Sequence, residues 1–493
     1  MNKWIDRRRA AVLLHITSLP GPFHKGVLGD EAFRFIDAIL AGGFTVWQFL
    51  PLGPTHSHGS PYESLSTFAG NPELIDLRDC VTAGWLKQEQ IQDVTTRKAH
   101  QSCLQIAGQN FWTEVLQNPE LKQAVADFRE THTYWLDDFS LFSALKTATQ
   151  DQGWWQWDEA LRDRQEESLQ AAKVEHAALI TQVIFEQFVF NRQWHALKTY
   201  AEEKGVQLFG DLPIYVAHDS ADVWSHQSLF TVNEDGLCDE VAGVPPDYFS
   251  ETGQRWGNPL YHWESSKQDG FKWWIHRVRR QLELMDMLRI DHFLAFNAFW
   301  AIPGESENGL IGEWRKAPGK ALLQTLQADL GYLPLIAEDL GIITEDVTAL
   351  REHFNLPGMK ILQFAFGGDP ENPYLPVNHE ENGVVYTGTH DNDTTMGWFN
   401  ALDEETKTFA LEVLEAEASD MPWALIEAAL ASPALLSVIP MQDILELETC
   451  ARFNTPGTLD DRNWSWRLYE MPATDNVCWQ RTKVLNETHQ RYY

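Results

Sequence analysis

The chain has 493 residues, of which 44% are hydrophobic and 22% are charged, and this composition is that of a globular protein and excludes a disordered one. The formal net charge of −33 excludes nucleic acid as a partner, since phosphates require a basic surface, and argues against an anionic membrane face or a strongly anionic substrate. A neutral ligand fits this charge.

The amino-terminal stretch MNKWIDRRRA places charge before the apolar run AVLLHI. That run is too short for a signal peptide and leads into SLPGP, which is not a small-residue cleavage site. No segment approaches the roughly 20 apolar residues of a membrane helix. The five cysteines are scattered without metal-ligand spacing, which indicates reduced thiols. We therefore expect a cytoplasmic protein with no membrane partner and no metal site.

Short apolar runs of the β type recur along the chain and mostly end in polar or glycine-containing loops. Eight of them are rich in Val, Ile, Leu or Phe, as buried parallel strands are, and lie at 11–16, 45–52, 207–216, 288–293, 333–340, 359–366, 384–389 and 435–442. Helical patterns separate several of them, at 31–40, 344–353 and 404–417. Eight β/α repeats without a GxGxxG fingerprint predict an α/β fold of the (β/α)₈ TIM-barrel type.

Two long segments interrupt the predicted barrel, which otherwise forms a single catalytic domain over residues 1–493. The segment 65–203, between the second and third strands, predicts a mostly helical insertion, because Lys, Glu, Gln, Ala and Leu dominate from residue 85 onward. The segment 217–268 is rich in Gly, Pro, Asp and Trp and predicts an irregular insertion. Long loops of this kind are usually functional, so we expect the second insertion to cover the substrate.

Carboxylic acids follow several of the predicted strands. Asp291 follows LRI, Glu338 follows LPLIA and Asp391 follows VVYTGTH. The carboxyl ends of barrel strands converge on one face, so these acids can meet in one pocket. Two carboxyl groups that flank one bond can cleave a glycosidic linkage, one by attacking the anomeric carbon and the other by protonating the leaving oxygen. A single such acid is more often part of a salt bridge, but three of them, with Asp211 of FGDLP as a fourth, favour catalysis.

Polar neighbours of these acids fit the same chemistry. Arg289 lies two residues before Asp291 and hence on the same face of the strand. An adjacent cation keeps a nucleophilic carboxylate ionised and orients it, although a purely structural ion pair has the same pattern. His390 and Asp391 offer a donor and an acceptor to sugar hydroxyls.

Eight segments with a more specific pattern cover nearly the whole chain outside the helical insertion. They are LLHITSLPGPF (13–23), LPLGPTHSHGSPYESLSTFAGNP (50–72), FGDLPIYVAHDSADVW (209–224), GVPPDYFSETGQRWGNPLYHW (243–263), LRIDHF (288–293), IAEDLG (336–341), GTHDNDT (388–394) and NTPGTLDDRNWSWR (454–467). In these segments the sequence resembles the amylomaltases and plant disproportionating enzymes of glycoside hydrolase family 77. The run at 243–263 is the most specific of them.

The resemblance implies a 4-α-glucanotransferase, which moves segments of α-1,4-glucan to the 4-hydroxyl of glucose or another glucan by a retaining double displacement. It implies maltooligosaccharides and α-1,4-glucans as partners, a place in maltooligosaccharide, glycogen or starch metabolism, and no cofactor. Among the residues, it implies Asp291 as the nucleophile, Glu338 as the general acid/base and Asp391 as the third acid, which grips the distorted sugar.

The resemblance also implies a set of glucan-binding residues. They are Tyr62, Asp211, Asp247, Gln254, Trp256, Arg289, His390 and Asn454. Of these, Tyr62 stacks on the glucose at the reacting bond, and Trp256 lies in a loop that closes over the cleft. Some bacterial relatives carry an aromatic residue of a second glucan site where this chain has THSHG (55–59), so the resemblance does not extend to that remote site.

Two other functions stay open on the sequence alone. An α-glucan hydrolase would use the same acids with water as the acceptor and would release glucose and maltose without redistributing chains. A non-catalytic glucan-binding protein would keep the barrel without the chemistry. The presence of Asp291, Glu338 and Asp391 together with Arg289 disfavours this last alternative.

Overall fold

A computed structural model describes residues 5–246, 250–341 and 343–492. Its strands are β1 (Arg9–Leu13), β2 (Val46–Gln48), β3 (Gln207–Pro213), β4 (Glu240–Val244), β5 (Gln254–Pro259), β6 (Met287–Asp291), β7 (Ala298–Pro303), β8 (Glu313–Lys316), β9 (Leu335–Ala337), β10 (Gly358–Ile361), β11 (Gly383–Tyr386) and β12 (Leu436–Pro440). Its α-helices are α1 (Asp30–Ala41), α2 (Leu77–Thr82), α3 (Arg97–Val115), α4 (Pro119–Ala148), α5 (Glu159–Arg162), α6 (Glu166–Glu175), α7 (Ala177–Glu203), α8 (Ala221–Ser225), α9 (Trp263–Gln268), α10 (Lys272–Leu284), α11 (Gly319–Leu330), α12 (Glu345–His353), α13 (Thr395–Ala401), α14 (Glu404–Leu414), α15 (Trp423–Ala431), α16 (Met441–Ile444) and α17 (Val477–Thr488). Within these ranges no helix combines the length and the apolar character that crossing a bilayer requires.

Eight parallel strands close into a barrel in the order β1-β2-β3-β6-β9-β10-β11-β12. Each of the eight predicted runs overlaps one of these strands, so the predicted (β/α)₈ barrel is confirmed. The observed strands are shorter than the runs at their carboxyl ends. After β2, for example, Phe49, Leu50 and Leu52 lie beyond the end of the strand but are buried. The apolar run in the sequence is therefore longer than the strand.

The barrel strands alternate between an inner and an outer face. In β1, Ala11 and Leu13 belong to the cluster that fills the barrel, whereas Ala10 and Val12 pack in the layer towards the helices. Met359 of β10 is one of the fully buried inner residues. Truncation of such a residue to alanine costs about 2–5 kcal/mol, because the closed barrel cannot collapse around the cavity.

Helices α2 to α7 lie between β2 and β3. Asn118 caps α4 by accepting hydrogen bonds from the backbone N–H groups of residues 120 and 121, and α4 packs along α7 through contacts such as that of Phe128 with Phe188. The last turns of α7 also pack on the barrel, where the Tyr200 hydroxyl donates to Asp37 of α1 at 2.9 Å. Helix α7 thus ends in the outer helical layer, so its carboxyl-terminal turns belong to the barrel as much as to the inserted helices.

The segments that come after β3 and β6 in the chain form a four-stranded antiparallel sheet, in the order β5-β4-β7-β8. Strands β4 and β5 and helices α8 and α9 fall within 217–268, so the prediction of an irregular insertion was wrong for these parts. These strands could not be predicted from the sequence because Gly243, Gly257 and Pro259 interrupt the alternation of apolar and polar residues. Their pairing partner β7 also lies far away in the sequence.

Candidate active site

The inner face of the barrel changes from apolar to charged at the carboxyl ends of β3 and β6. In β6 the inner positions are Met287, Arg289 and Asp291, and in β3 the core residue Phe209 is followed on the same face by Asp211. The register of the two strands sets Asp211 directly opposite Arg289. The alternation of two adjacent strands therefore brings two carboxylates and one guanidinium together on top of the apolar core.

Arg289 joins the two carboxylates. Its Nη1 donates to both carboxylate oxygens of Asp211, at 2.9 and 2.7 Å, and its Nη2 lies 2.8 Å from Oδ1 of Asp291. Burial alone would lower the pKa of Arg289, but Asp211 and Asp291 raise that pKa well above its ordinary value. Arg289 is thus a permanent cation that orients Asp291.

Asp211 is enclosed by its partners. It is 1% exposed, and its Oδ2 accepts a hydrogen bond of 2.8 Å from the Tyr62 hydroxyl in addition to the Arg289 contacts. Burial raises the pKa of Asp211, whereas the positive charge of Arg289 lowers it. Because the carboxylate is held from two sides, it fixes the direction in which the ring of Tyr62 faces the cleft.

Glu338 follows β9 at the next inner position after Ile336. Its Oε2 accepts from the backbone N–H of His292 at 2.5 Å and its Oε1 accepts from the N–H of Leu340 at 3.1 Å. Burial raises the pKa of Glu338 to about 7, and the negative charge of Asp291 acts in the same direction. A carboxyl group with a pKa near 7 can both give and take a proton at neutral pH.

Asp391 lies on the other side of the cleft. Its Oδ1 accepts a 2.6 Å hydrogen bond from Nδ2 of Asn454 and lies 3.3 Å from Nε2 of His390. The ring of His390 stacks on that of Tyr62 with 5.1 Å between centroids and 16° between planes. Since Tyr62 also contacts Asp211, the two sides of the cleft form one connected set of residues.

The strand β5 of the small sheet brings Gln254 and Trp256 beside this set. The indole of Trp256 lies across the imidazole of His292 with 4.8 Å between centroids and 85° between planes. Its Nε1 donates to Oε1 of Gln254 at 3.1 Å. Trp256 thereby contacts the residue that follows Asp291 in the chain. Asp247, the remaining predicted residue, lies outside the described residues.

Three further residues that the sequence reasoning did not single out take part in the site. His292 adopts the left-handed backbone conformation with φ 55°, which turns its N–H towards Glu338. Trp464 contacts the rings of Tyr62 and His390 at 5.9 and 6.0 Å. Arg452 donates to the backbone carbonyl of Asp391 at 2.6 Å. A signal existed for two of them, since His292 is part of RIDHF and Trp464 is part of NTPGTLDDRNWSWR.

The (β/α)₈ barrel and the side chains at the carboxyl ends of its strands together define a class of protein. The carboxyl ends of its strands hold a carboxylate paired with a buried arginine, a second carboxyl group with a raised pKa, and aromatic rings around both. Paired carboxyl groups in different electrostatic environments are the arrangement of barrel enzymes that act on glycosidic bonds.

Comparison with known proteins agrees with this class. The family model of glycoside hydrolase family 77, described as 4-alpha-glucanotransferase, matches residues 14–472. The 4-alpha-glucanotransferase of Thermus thermophilus is 46% identical over 94% of this chain and 95% of its own length. The chloroplastic/amyloplastic 4-alpha-glucanotransferase of Solanum tuberosum is 42% identical over 96% of this chain and 84% of its own length. The amylomaltase from Streptococcus agalactiae, solved in complex with acarbose, superposes with a TM-score of 0.94 at 34% identity and covers 99% of this chain and 100% of its own.

The chain belongs to the 4-α-glucanotransferase family, glycoside hydrolase family 77. It is a transglycosylase that transfers segments of α-1,4-glucan, and the family acts on α-1,4-glucans and maltooligosaccharides. The family and the activity predicted from the motifs are thereby confirmed.

Proposed function

We propose that this chain redistributes maltooligosaccharides with Asp291 as the nucleophile, Glu338 as the general acid/base and Asp391 as the third acid. One observation carries these roles: Asp291 is paired with the buried cation Arg289, while the pKa of its neighbour Glu338 is raised to about 7. A nucleophile must be ionised and a general acid must hold a proton at the same pH, and this difference in environment supplies both.

The first displacement cleaves the donor glucan. Glu338 donates its proton to the glycosidic oxygen as Asp291 attacks the anomeric carbon, so the C–O bond to the leaving glucan breaks and a β-linked glucosyl ester forms on Asp291. The leaving glucan departs with a new 4-hydroxyl. In the second displacement the 4-hydroxyl of an acceptor attacks the same carbon and loses its proton to Glu338, and the α-1,4 linkage is remade as the ester breaks. Two inversions give net retention.

Residues on the two sides of the cleft hold the reacting glucose. The ring of Tyr62 offers its face to the sugar, and the carboxylate of Asp391 accepts hydrogen bonds from ring hydroxyls. His390 and Asn454 keep Asp391 in place through their contacts with its Oδ1. Asp211 has its oxygens bonded to Arg289 and Tyr62, which supports a positioning role for it more than direct contact with sugar.

The choice between a sugar and water as acceptor is assigned to the segment that carries Asp247, Gln254 and Trp256. Trp256 lies beside His292 and hence near the ester on Asp291. An aromatic ring there shields the intermediate from water and offers an apolar face to the acceptor sugar.

We further propose that the enzyme works in the cytoplasm on neutral maltooligosaccharides. All five cysteines are free thiols, among them the buried Cys80, Cys103 and Cys478, which suits a reducing compartment. Cell fractionation with activity measured in each fraction tests this placement. Recovery of the activity outside the cytoplasmic fraction contradicts it.

Incubation with maltotriose tests the proposed activity. We expect glucose and a ladder of maltooligosaccharides longer than the substrate, separated by chain length, with no cofactor added. Products of hydrolysis alone, with no oligomer longer than maltotriose, would show that water is the acceptor. A chelator should leave the rate unchanged, and a loss of rate that added Ca²⁺ restores would contradict the cofactor-free mechanism.

A further inference from the structure

The small antiparallel sheet carries an aromatic surface that the catalytic cycle does not use. In β7 and β8, Trp300 and Trp314 are direct cross-strand partners, and Trp300 is opposite Gly243 of β4, which in turn is opposite Arg255 of β5. Directly paired residues share one face of a sheet. Gln254 and Trp256 alternate with Arg255 and therefore occupy the other face, towards the cleft. The tryptophan pair thus lies on the reverse side of the sheet that borders the active site.

Trp314 presents its ring to solvent and Trp300 holds it there. Trp314 is 53% exposed, whereas Trp300 is partly buried and its Nε1 donates to the carbonyl of Gly309 at 3.1 Å. The two rings meet edge to face with 5.5 Å between centroids. A side chain at Gly312 would come within 2.6 Å of the Trp300 indole, so glycine is required for this packing. The exposed ring of Trp314 therefore packs against a neighbour that is itself held in place.

The loop beside Trp314 is tied to the segment that carries Gln254 and Trp256. The N–H of Gly309 donates to the carbonyl of Thr252 at 3.0 Å, and Nη2 of Arg255 donates to the carbonyl of Gly304 at 2.9 Å. Across the sheet, β8 lies three strands from β5, roughly 14 Å at the usual strand spacing. A ligand several sugar units long can reach from this surface round the sheet to the cleft.

The size and charge of the surface argue against a protein partner. Its exposed apolar residues are Leu310, Ile311 and Trp314. Covering all three would remove roughly 350 Å² from water, about half of the ~800 Å² per partner that a specific protein interface needs. Strand β8 is the edge of the sheet, but three of its four residues are charged, which opposes pairing with the edge of a second copy.

We propose that Trp314 is the centre of a second carbohydrate-binding site, which holds α-1,4-glucan chains longer than the cleft accommodates. A flat indole suits the apolar face of a pyranose, and the exposed cations Arg255 and Lys316 on the same sheet face offer donors to hydroxyl groups. The inference rests on the α-glucan chemistry of the family. Tethering a long chain here raises its effective concentration at the cleft, whereas maltotriose is too short to gain from it.

Trp314→Ala tests the site by binding and by turnover. Binding is measured as retardation in native gels that contain amylose, with every protein carrying Asp291→Ala so that the polysaccharide stays intact. We expect Trp314→Ala to weaken amylose binding about tenfold, by analogy with stacking on one aromatic ring. In the active enzyme the same substitution should leave maltotriose disproportionation within about twofold of the unsubstituted enzyme.

Tyr332→Ala is the matched control, since Tyr332 is 47% exposed and precedes β9 at the opposite end of the barrel. It should change neither readout, and Trp314→Phe should restore amylose binding because it restores an aromatic face. Unchanged retardation of Trp314→Ala overturns the proposal. So does an equal loss of amylose binding and maltotriose turnover, which would assign Trp314 to the cleft. Failure of the proposed function has a separate sign, the absence of a maltooligosaccharide ladder from the unsubstituted enzyme.

Discussion

At the scale of single residues, strand alternation separates the proposed acid/base from an acid with a structural role. Glu338 and Asp339 are adjacent acids at the end of β9, and the sequence analysis singled out Glu338. Glu338 faces the cleft, whereas Asp339 faces away, accepts from the N–H of Met359 at 2.7 Å and pairs with Arg351 at 3.2 Å. Of the two acids, Glu338 is the one whose pKa the charges of Arg289 and Asp291 affect. The inner or outer position of an acid therefore decides its role.

The separate roles proposed for Asp291 and Glu338 predict different behaviour of their variants. Asp291→Ala should abolish the covalent intermediate with every donor, because no nucleophile remains. Glu338→Gln should still react with α-glucosyl fluoride, whose leaving group needs little protonation, but should stall at the second step because no base activates the acceptor. A glucosyl adduct on Asp291 should accumulate and be detected by mass spectrometry of peptides.

The adduct experiment contains its own control. Glu338→Gln supplied with maltotriose in place of the fluoride should form little adduct, since that leaving group requires an acid. An adduct mapped to Asp391 or Glu338, or turnover that survives in Asp291→Ala, contradicts the assigned roles and leaves the family assignment untouched.

The raised pKa of Glu338 predicts the direction of two pH effects. Its pKa rises from 4.5 to about 7 on folding, so between these values the folded protein binds more protons at this site than the unfolded chain does. The stability gained from that proton is lost as the pH rises through about 7, where the buried carboxyl ionises. Glu338→Gln should therefore raise the melting temperature more at about pH 8.5 than at about pH 5.

The activity should depend on the protonation of the same carboxyl group. In the unsubstituted enzyme, kcat/KM for maltotriose should fall as the pH rises through about 7, because the first displacement needs protonated Glu338. The fluoride donor should lack this alkaline decline in adduct formation. An equal change in melting temperature for Glu338→Gln at both pH values would show that the proton on Glu338 is not linked to folding.

The sequence could predict part of this site. Arg289 and Asp291 share an inner face because they are two residues apart, and their 2.8 Å contact is as the spacing predicted. The backbone N–H of His292 and the carbonyl contact of Arg452 could not be predicted, since both act through main-chain groups that every residue has. The ring of Trp464 reaches the site only through the path of its loop.

At the scale of elements, burial explains which strands could be predicted from the sequence. Barrel strands such as β1 and β12 are buried at every position and therefore read as continuous apolar runs. The strands of the small sheet are half exposed, and β8 has the sequence EWRK with no buried residue. Their apolar signal is weak, so the sequence suggested loops where the structure has a sheet.

This sheet brings Trp256 against His292, where we propose that it shields the intermediate and binds the acceptor. Trp256→Ala should lower the ratio of transfer to hydrolysis about tenfold, because loss of a stacking ring worth roughly 1–3 kcal/mol weakens acceptor binding and opens the ester to water. The ratio is measured from the ladder and from reducing ends released with maltotriose. Trp314→Ala, on the other face of the same sheet, is the matched control and should leave the ratio unchanged. An equal loss of both reactions would assign Trp256 to donor binding or folding.

At the scale of the whole molecule, the net charge affects stability but not the recognition of a neutral substrate. The chain has 71 acidic and 38 basic residues and a net charge of −33, so its surface groups repel one another. Its substrates are neutral, and the ion pairs of the active site, such as that of Arg289 with Asp211, are buried and poorly screened. Salt therefore acts on the repulsion between surface groups and not on the cleft.

Raising NaCl from about 0.1 M to about 1 M shortens the screening length from about 10 Å to about 3 Å. We expect the melting temperature to rise, because screening weakens the repulsion that opposes the compact state, while kcat/KM for maltotriose stays within about twofold, because no charged substrate is steered to the cleft. Replacing NaCl with KCl at equal ionic strength is the control and should give the same result, since screening depends on ionic strength. A steep fall of kcat/KM with salt would mean that an exposed charge takes part in recognising the glucan, and a falling melting temperature would mean that attractive surface ion pairs outweigh the net repulsion.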